Sequence, residues 1–322
     1  MRKKINKRLK SAAAFALAAV LSISLLTGCG NASAASNSKE SDGKLSVMAS
    51  FYPVYDFAGK IGGDKVNVTS MVPSGTEPHD WEPAASDIVS LEEADVFVYS
   101  GAGMEHWVSD VLASLENKTL ISVEASKGIT LLKGHAHEEK EQGEETEESE
   151  FDPHVWLSPL NAKIEMENIK NAFVQADPDN KDYYEDNYTR WSDSCDELDQ
   201  ELKDTFSGLP KKDIVVSHEA FGYLCDAYGL NQVGIEGISP DSEPDPARMA
   251  EIQDFVTENN VRIIFSEELV SPKVAESIAS ATGAEVQTLN PLEGLSDEQS
   301  AAGDDYFSVM RQNMTALKAA LE

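Results

Sequence analysis

Short apolar runs alternate with helical patterns along two successive stretches of the chain, and this alternation constrains the fold more than any other feature of the sequence. Strands that alternate with helices build parallel sheets with helices on both faces. The sequence therefore predicts an α/β protein of two lobes, residues 44–177 and 209–322, each with a mostly parallel sheet flanked by helices. The predicted strands are Leu45–Ala49, Val66–Val72, Val96–Tyr99 and Leu120–Val123 in the first lobe, and Asp213–Ser217, Gln232–Ile235, Val261–Phe265 and Glu285–Leu289 in the second.

A long polar helical pattern lies between the two lobes. Lys181–Thr205 is highly charged and carries only a sparse apolar stripe, which includes Tyr184, Trp191 and Leu198. A helix of this kind buries one narrow face and suits a connection between compact units. We expect residues 178–208 to form a long helix that links the lobes.

Residues 1–28 have the pattern of a lipoprotein signal peptide. Six basic residues within the first ten precede the 16-residue apolar run Ser11–Leu26. This run is shorter than the about 20 residues that span a membrane, which favours a secretory signal over a transmembrane anchor. The segment Leu-Thr-Gly-Cys ending at Cys29 resembles a bacterial lipobox, which implies cleavage before Cys29 and a lipid on its sulfur. Residues 29–43 would then be a flexible tether to the extracytoplasmic face of the cell membrane.

The charge of the chain argues against one class of partner. The sequence has 57 Asp and Glu against 26 Lys and Arg, a formal net charge of −31. Because such a surface repels phosphate backbones, no nucleic-acid partner is expected. Residues 134–150 contain eight Glu and almost nothing apolar, which predicts a disordered surface loop. Within it, His135 and His137 could capture divalent cations, or the loop could be only a solubilising insertion; the sequence leaves both open.

Three of the six histidines lie in loops where a ligand site would form. His79 follows a predicted strand in PSGTEPHDWEP, His218 ends the run DIVVSH, and His154 lies in the loop FDPHVWLSP. Ligands of open α/β sheets bind beyond the carboxyl ends of the strands, so these three imidazoles can meet although they are distant in sequence. His106 falls in the predicted helix Met104–Leu115 and is expected on its solvated surface.

Three imidazoles would suit zinc, whereas manganese, magnesium and calcium prefer more oxygen. A closed zinc site takes four ligands, so a carboxylate from the second lobe is expected. Glu267, Glu268 and Glu293 each follow a predicted strand there, and the spacing does not choose among them. Ordinary core or surface histidines remain the alternative to a metal site at this point.

Six segments of the chain occur in one order: the lipobox, PSGTEPHDWEP, FDPHVWLSP, IVVSHEAFGYL, IFSEELVSP and TLNPLEGL. Together they resemble the zinc- and manganese-specific solute-binding lipoproteins of bacterial ABC importers, the zinc-uptake branch in particular. The resemblance implies two α/β lobes joined by a long rigid helix, with one metal ion between them. It implies three imidazole ligands, His79, His154 and His218, and a fourth, carboxylate ligand, Glu293. Relatives that bind manganese have a carboxylate in place of His218, which favours Zn²⁺ here.

The resemblance also implies the biological role. A receptor of this family captures Zn²⁺ between its lobes and delivers it to an ABC transporter permease and its ATPase; it is expected to be a monomer and no enzyme. Residues beside the ligands are expected to orient or shield them. They are Asp80, Trp81, Glu82, Trp156 and Glu267. The family often has a histidine-rich loop before the second ligand, whereas this chain has only His135 and His137 amid glutamates.

Three other hypotheses about the function are compatible with the sequence. The first is a receptor of the same family for manganese or another divalent metal, and the second is a surface adhesin. The third is a zinc hydrolase with Glu77, Glu82 or Glu219 as general base, which would need an open position on the metal for water. The sequence has no HExxH, GxxxxGK[ST] or GxSxG motif, so any ATP use would belong to another chain. A disulfide between Cys195 and Cys225 is possible, although nothing in the sequence requires it.

Overall fold

The computed structural model describes residues 43–134, 151–240 and 244–322. The predicted signal peptide with Cys29, the tether up to residue 42, and the acidic loop with His135 and His137 lie outside the described residues. The expectations for these segments therefore stay predictions.

The first lobe is a four-stranded parallel sheet with helices between its strands. Its strands occur in the spatial order β2-β1-β3-β4, and every neighbouring pair is parallel. The strands are β1 (Leu45–Ala49), β2 (Val66–Ser70), β3 (Val96–Tyr99) and β4 (Ile121–Glu124), and the helices are α1 (Tyr52–Gly62), α2 (Ala85–Glu92) and α3 (Val108–Ser114).

The second lobe repeats this topology, with the spatial order β6-β5-β7-β8 and parallel neighbours throughout. Its strands are β5 (Asp213–Val216), β6 (Asn231–Gly234), β7 (Ile263–Ser266) and β8 (Glu285–Thr288). Its helices are α6 (Gly222–Tyr228), α7 (Pro246–Glu258), α8 (Lys273–Thr282), α9 (Asp297–Ala302) and α10 (Tyr306–Leu321). No repeat is visible in the sequence, so the two lobes share a topology without sharing an evident sequence pattern.

Two long helices, α4 (Pro159–Ala176) and α5 (Lys181–Phe206), lie between the lobes in the chain. The 26-residue helix α5 contacts helices of both lobes through hydrogen bonds. Trp191 Nε1 donates a hydrogen bond to the carbonyl of Lys60 in α1, and Glu201 forms a two-pronged ion pair with Arg311 in α10. The predicted α/β architecture with a long linking helix is confirmed, while the exact domain boundaries stay predictions.

The apolar core is continuous through both lobes, and the described residues from Gly43 to Glu322 form one compact unit. Phe57 of α1 meets Tyr306 of α10 edge to face, with ring centroids 5.0 Å apart. Phe51 meets Trp156 in the same way at 5.1 Å. This packing fixes the carboxyl ends of the strands, where the predicted ligands lie.

Two local predictions differ from the structure. The predicted helix at Met104 begins only at Val108, because the chain around Ala102 turns through left-handed backbone (φ 55°). His106 is therefore exposed, as expected, but precedes the helix instead of lying on it. The short helix α9 was not predicted, although Ser296 and Gln299 form a capping box at its start. Cys195 and Cys225 are both buried free thiols.

Candidate metal centre

His79 lies in the loop between β2 and α2. Its backbone N–H donates to both carboxylate oxygens of Glu77, at 3.0 and 3.1 Å. The loop places the imidazole at the edge of the cluster, with 8% of the side chain exposed. Glu77, one of the candidate general bases of the hydrolase alternative, is thereby engaged in shaping this loop.

His154 lies at the start of a 3-10 turn, Val155–Leu157, and is fully buried. Its backbone N–H and its Nδ1 both donate to Oδ1 of Asp152, at 2.9 and 2.8 Å. A carboxylate only accepts hydrogen bonds, so Nδ1 carries the proton and Nε2 is free to act as a ligand. Asp152 was missed in the sequence, although its position two residues before a histidine is the spacing that such a bond uses.

His218 follows β5 by two residues and is also fully buried. Its Nδ1 donates to Oε1 of Glu267, which directly follows β7, at 2.8 Å. Glu267 therefore fixes the ring of His218 from the side opposite Nε2. Glu268, its exposed neighbour, contacts Gln299 and is not part of the cluster.

Glu293 lies in the loop after β8, and an unusual backbone aims it at the histidines. Leu292, fully buried, has a φ of 62°, in the left-handed region that non-glycine residues rarely adopt. Its N–H donates to the side chain of Asn290, whose backbone pairs with the amide of Asn313 in α10. Trp156 Nε1 donates to the carbonyl of Pro291 at 2.8 Å, so the first lobe also holds this loop.

The Nε2 atoms of the three histidines and Oε1 of Glu293 form one compact group. Glu293 Oε1 lies 3.1 Å from His79, 3.0 Å from His154 and 3.2 Å from His218. His154 Nε2 lies 3.3 Å from the corresponding atoms of both other histidines. A tetrahedral zinc ion with bonds of about 2.0–2.1 Å spaces its ligand atoms about 3.3 Å apart. The four atoms therefore have the spacing of a tetrahedral coordination shell.

The electrostatics of the cluster fit one carboxylate held among imidazoles. Burial would raise the pKa of Glu293, yet the charges of His218 and His79 and hydrogen bonds from His154 and His218 hold that pKa well below its usual range. Burial would lower the pKa of His154 and His218, but their carboxylate partners outweigh it. The pKa of His154 is raised, and that of His218 is raised well above the usual range. The directions of these shifts favour an ionised Glu293 and protonated imidazoles, so a bound cation competes with protons for the imidazole nitrogens.

The other predicted neighbours of the ligands lie at the rim or behind the cluster. Asp80, Trp81 and Glu82 line a groove at the edge of the His79 loop. Trp81 packs edge to face on Trp107, with ring centroids 5.6 Å apart. Trp156 packs its ring against that of His154 at 5.4 Å. Trp156 therefore both shields a ligand and holds the Glu293 loop, whereas Asp80 and Glu82 line the approach.

Within residues 43–134, 151–240 and 244–322, the four ligand residues are the one group of three or more His, Cys, Asp or Glu close enough to hold a metal ion. None of the helices in this part of the chain has the length and apolarity that a membrane span requires.

Two parallel-sheet α/β lobes with a buried cluster of three imidazoles and a carboxylate between them define a metal-binding protein of the solute-receptor class. The chain matches the family described as "Zinc-uptake complex component A periplasmic" (ZnuA) over residues 47–320. It therefore belongs to the ZnuA family, whose members are substrate-binding receptors of zinc uptake and work with ABC transporter components.

Individual relatives agree with this assignment. The chain is 42% identical over 299 residues to the high-affinity zinc uptake system protein ZnuA of Bacillus subtilis, covering 92% of this chain and 94% of that protein. It is 40% identical to the zinc-binding lipoprotein AdcA of Streptococcus pneumoniae over 287 residues, 88% of this chain but only 57% of AdcA. The Zn(II)-bound ZnuA-like domain of that AdcA superposes with a TM-score of 0.75 at 37% identity, covering 87% of this chain and 99% of the domain.

One solved structure carries a second activity in its description. The laminin-binding protein Lmb of Streptococcus agalactiae, described as bifunctional with adhesin and metal transporting activity, superposes with a TM-score of 0.77 at 35% identity. The match covers 87% of this chain and all of Lmb.

Proposed function

We propose that this protein is an extracytoplasmic receptor that captures Zn²⁺ with His79, His154, His218 and Glu293 and delivers it to an ABC importer. The observation that carries the proposal is the tetrahedral spacing of three imidazole nitrogens and one carboxylate oxygen in a buried site. Two comparisons also support the proposal: the chain belongs to the zinc-uptake family, and it is similar to a Zn(II)-bound domain.

The donor set favours zinc over the other metals of the family. Three neutral nitrogens suit zinc, whereas manganese prefers carboxylate and water ligands. Copper, nickel and cobalt also bind such donors in solution, so affinity alone does not identify the cargo. Manganese or another divalent metal is therefore the alternative cargo. Competition between zinc and these metals for the same site distinguishes the two hypotheses.

The same ligand count argues against a hydrolase. Four protein ligands close a tetrahedral zinc ion, whereas catalytic zinc keeps a position for water. Of the candidate bases, Glu77 bonds to the His79 backbone, and Glu82 is 75% exposed beside His106. We therefore propose a binding protein and no enzyme.

The proposal also includes the location of the protein and its partners in transport. A lipid on Cys29 would hold the protein at the extracytoplasmic face of the cell membrane. A permease would receive the zinc from a monomeric receptor, and a separate ATPase would supply the energy. The acidic surface disfavours nucleic-acid partners. Adhesion is the second candidate function, because Lmb combines it with metal transport on the same fold.

A chelator-competed zinc titration of residues 30–322 tests the proposal. We expect one site of sub-micromolar affinity or tighter, and a large loss of affinity when His79, His154, His218 or Glu293 is changed singly to Ala. His106→Ala is the matched control, because its side chain is 55% exposed and lies outside the cluster. Weak, multiple binding, or ligand variants that bind like the parent protein, would overturn the proposal. Adhesion to laminin, measured with the same variants, would survive loss of the metal ligands if it is independent of zinc.

A further inference from the structure

We infer that Gly222 and Tyr223, at the start of α6, are positioning residues for metal capture. They belong to the second lobe, yet they hold Asp152 in place, and Asp152 in turn orients the ligand His154. The inference rests on the proposed zinc binding and adds to it a residue pair that touches neither the metal nor its ligands.

The first step is the bond between Asp152 and His154. A single oxygen, Oδ1 of Asp152, accepts from both the backbone N–H and Nδ1 of His154. Because a carboxylate is planar, any rotation that moves Oδ2 also moves Oδ1 and breaks the angle of both bonds. Whatever fixes Oδ2 therefore fixes the direction in which His154 presents Nε2.

The second step is that Gly222 lies against Oδ2. A Cβ atom at Gly222 would overlap Oδ2 of Asp152, and it would touch Gln232 Nε2 at 3.4 Å. Asp152 is only 3% exposed, so its carboxylate has no open space into which it could swing. The hydrogen side chain of glycine is thus what lets the carboxylate reach His154. The backbone φ of Gly222 is ordinary, so the requirement is for space and not for conformation.

The third step is the hydroxyl of Tyr223, which holds the main chain of the same residue. It donates to the carbonyl of Asp152 at 2.9 Å and accepts from the N–H of Leu132 at 3.0 Å. Asp152 N–H donates back to the carbonyl of Leu132 at 2.9 Å. The backbone of Asp152 is therefore tied both to its neighbouring segment and to the second lobe.

These contacts make the position of a metal-ligating residue in one lobe depend on how the other lobe packs against it. Trp156 of the first lobe holds the loop of Glu293, and Gly222 and Tyr223 of the second lobe hold the support of His154. Each lobe thus helps to position a metal-ligating residue that belongs to the other lobe. The tetrahedral arrangement of the four ligand atoms therefore depends on contacts between the lobes.

The test is the zinc affinity of Gly222→Ala, measured by chelator competition in residues 30–322. Changes that disturb the support of a ligating histidine cost about 10–100-fold in metal affinity, and we expect a loss in this range. Gly59→Ala in α1 is the matched control, because a Cβ there meets nothing within 4 Å. The spectrum of bound Co²⁺ gives a second readout, since distorted geometry changes the intensity of the tetrahedral bands.

A double-mutant cycle separates positioning from a general loss of structure. If Gly222 acts through Asp152, then Gly222→Ala costs zinc affinity in the parent protein and nothing further in Asp152→Ala. Tyr223→Phe, which removes only the hydroxyl, should lower the affinity less than Gly222→Ala does. It also supplies the test if Gly222→Ala fails to fold. Affinities of Gly222→Ala and Tyr223→Phe equal to that of the parent protein, or independent, additive losses in the cycle, would overturn the inference. Failure of the parent protein and of Gly59→Ala to bind zinc would instead overturn the proposed function.

Discussion

At the scale of single residues, two of the three histidines are held by a buried carboxylate. Asp152 and Glu267 accept from Nδ1 of His154 and His218, both at 2.8 Å. Such a bond fixes the tautomer and the ring angle and increases the basicity of the nitrogen that binds the metal. The chemistry of the centre therefore extends beyond the four atoms that would touch zinc.

The charge of Glu267 can be tested without changing its shape. We expect Glu267→Gln to weaken zinc binding by about 10–100-fold, because the amide orients His218 without the negative charge that makes it basic. Chelator competition measures the affinity, with Glu268→Gln as the control from the next position in sequence. Equal affinities for the two variants would show that the negative charge of Glu267 has no part in binding.

Residue types and their loops were predictable from the sequence, but the pairing of their side chains was not. The sequence could group the three histidines because each lies in a loop where ligands of an open α/β sheet would bind, and resemblance to a family assigned them as ligands. Spacing could not choose between Glu267 and Glu293, since both follow strands of one sheet. Resemblance to a family supplied Glu293, and the structure places it in the cluster with Glu267 behind His218. Asp152 was missed because its role depends on a bond that only the folded loop creates.

At the scale of elements, the loop after β8 is the part of the site under backbone strain. Leu292 adopts its left-handed conformation because the Asn290–Asn313 pair, the Leu292 N–H bond and the Trp156 bond to Pro291 all fix the chain around it. A non-glycine residue in this region costs about 1–3 kcal/mol, which surrounding contacts have to offset. Glu293 reaches the histidines from this conformation.

The side-chain amide of Asn313 supports this loop from a separate helix, α10. We expect Asn313→Ala to lower the free energy of unfolding by about 1–3 kcal/mol, because it leaves the buried N–H and C=O of Asn290 without their partner. Thermal denaturation measures this loss, and zinc titration of the same variant should show weaker binding. Gln312→Ala, at the exposed position beside it, is the control. Parent-like stability and affinity would mean that the loop holds its shape without α10.

The elements with strong periodicity were the predictable ones. The strands were placed to within one or two residues at their ends, because short apolar runs mark them. The long helix α5 was placed nearly to the residue, because its pattern extends over many positions. Short elements set by local chemistry were not: α9 rests on one capping box, and the start of α3 is set by the turn around Ala102. The strand order that the two sheets share was not predicted, because the sequence shows the alternation of strands and helices but no repeat of residues.

At the scale of the whole molecule, the two lobes are braced as one unit. Lys60 of α1 bonds to Asp56 and to Asp305 at the start of α10, at 2.9 and 2.8 Å, and is only 9% exposed. Its ammonium also lies 4.9 Å from the centre of the Trp191 ring in α5. One cation thus joins both lobes and the linking helix, which supports a receptor with small lobe movements.

A buried acid inside this core makes stability depend on pH. Glu165 of α4 is fully buried, and neither carboxyl oxygen has a hydrogen-bond partner among the described residues. Burial and the charge of Glu105 raise the pKa of Glu165 well above its usual range. The folded protein then keeps a proton that the unfolded chain has lost. Its stability therefore falls as pH rises from the unfolded to the folded pKa.

Glu165→Gln removes this titration. We expect the variant and the parent protein to be similar in stability near pH 4, and the variant to become more stable than the parent, by about 1–3 kcal/mol, as pH rises above the pKa of the unfolded carboxyl. Urea unfolding across this pH range measures the difference, and exposed Glu167→Gln on the same helix is the control. A difference that does not change with pH would contradict the assignment of the buried proton to Glu165.

Zinc affinity should also depend on pH, in the opposite direction. The raised pKa values of His154 and His218 mean that zinc has to displace protons that both imidazoles hold below those values. Affinity should therefore fall as pH falls through them, and binding should release protons. Calorimetry in two buffers of different ionisation enthalpy measures the release. Identical heats in both buffers would show that no proton is displaced.

The central claim is a closed zinc site of three nitrogens and one carboxylate oxygen between the lobes. A crystal structure of residues 30–322 with zinc, with anomalous data at the zinc edge, tests it most directly. We predict one strong peak, bonded to Nε2 of His79, His154 and His218 and to Glu293, with no water on the metal. Zinc bound elsewhere, or held by three protein ligands and a water molecule, would contradict this account.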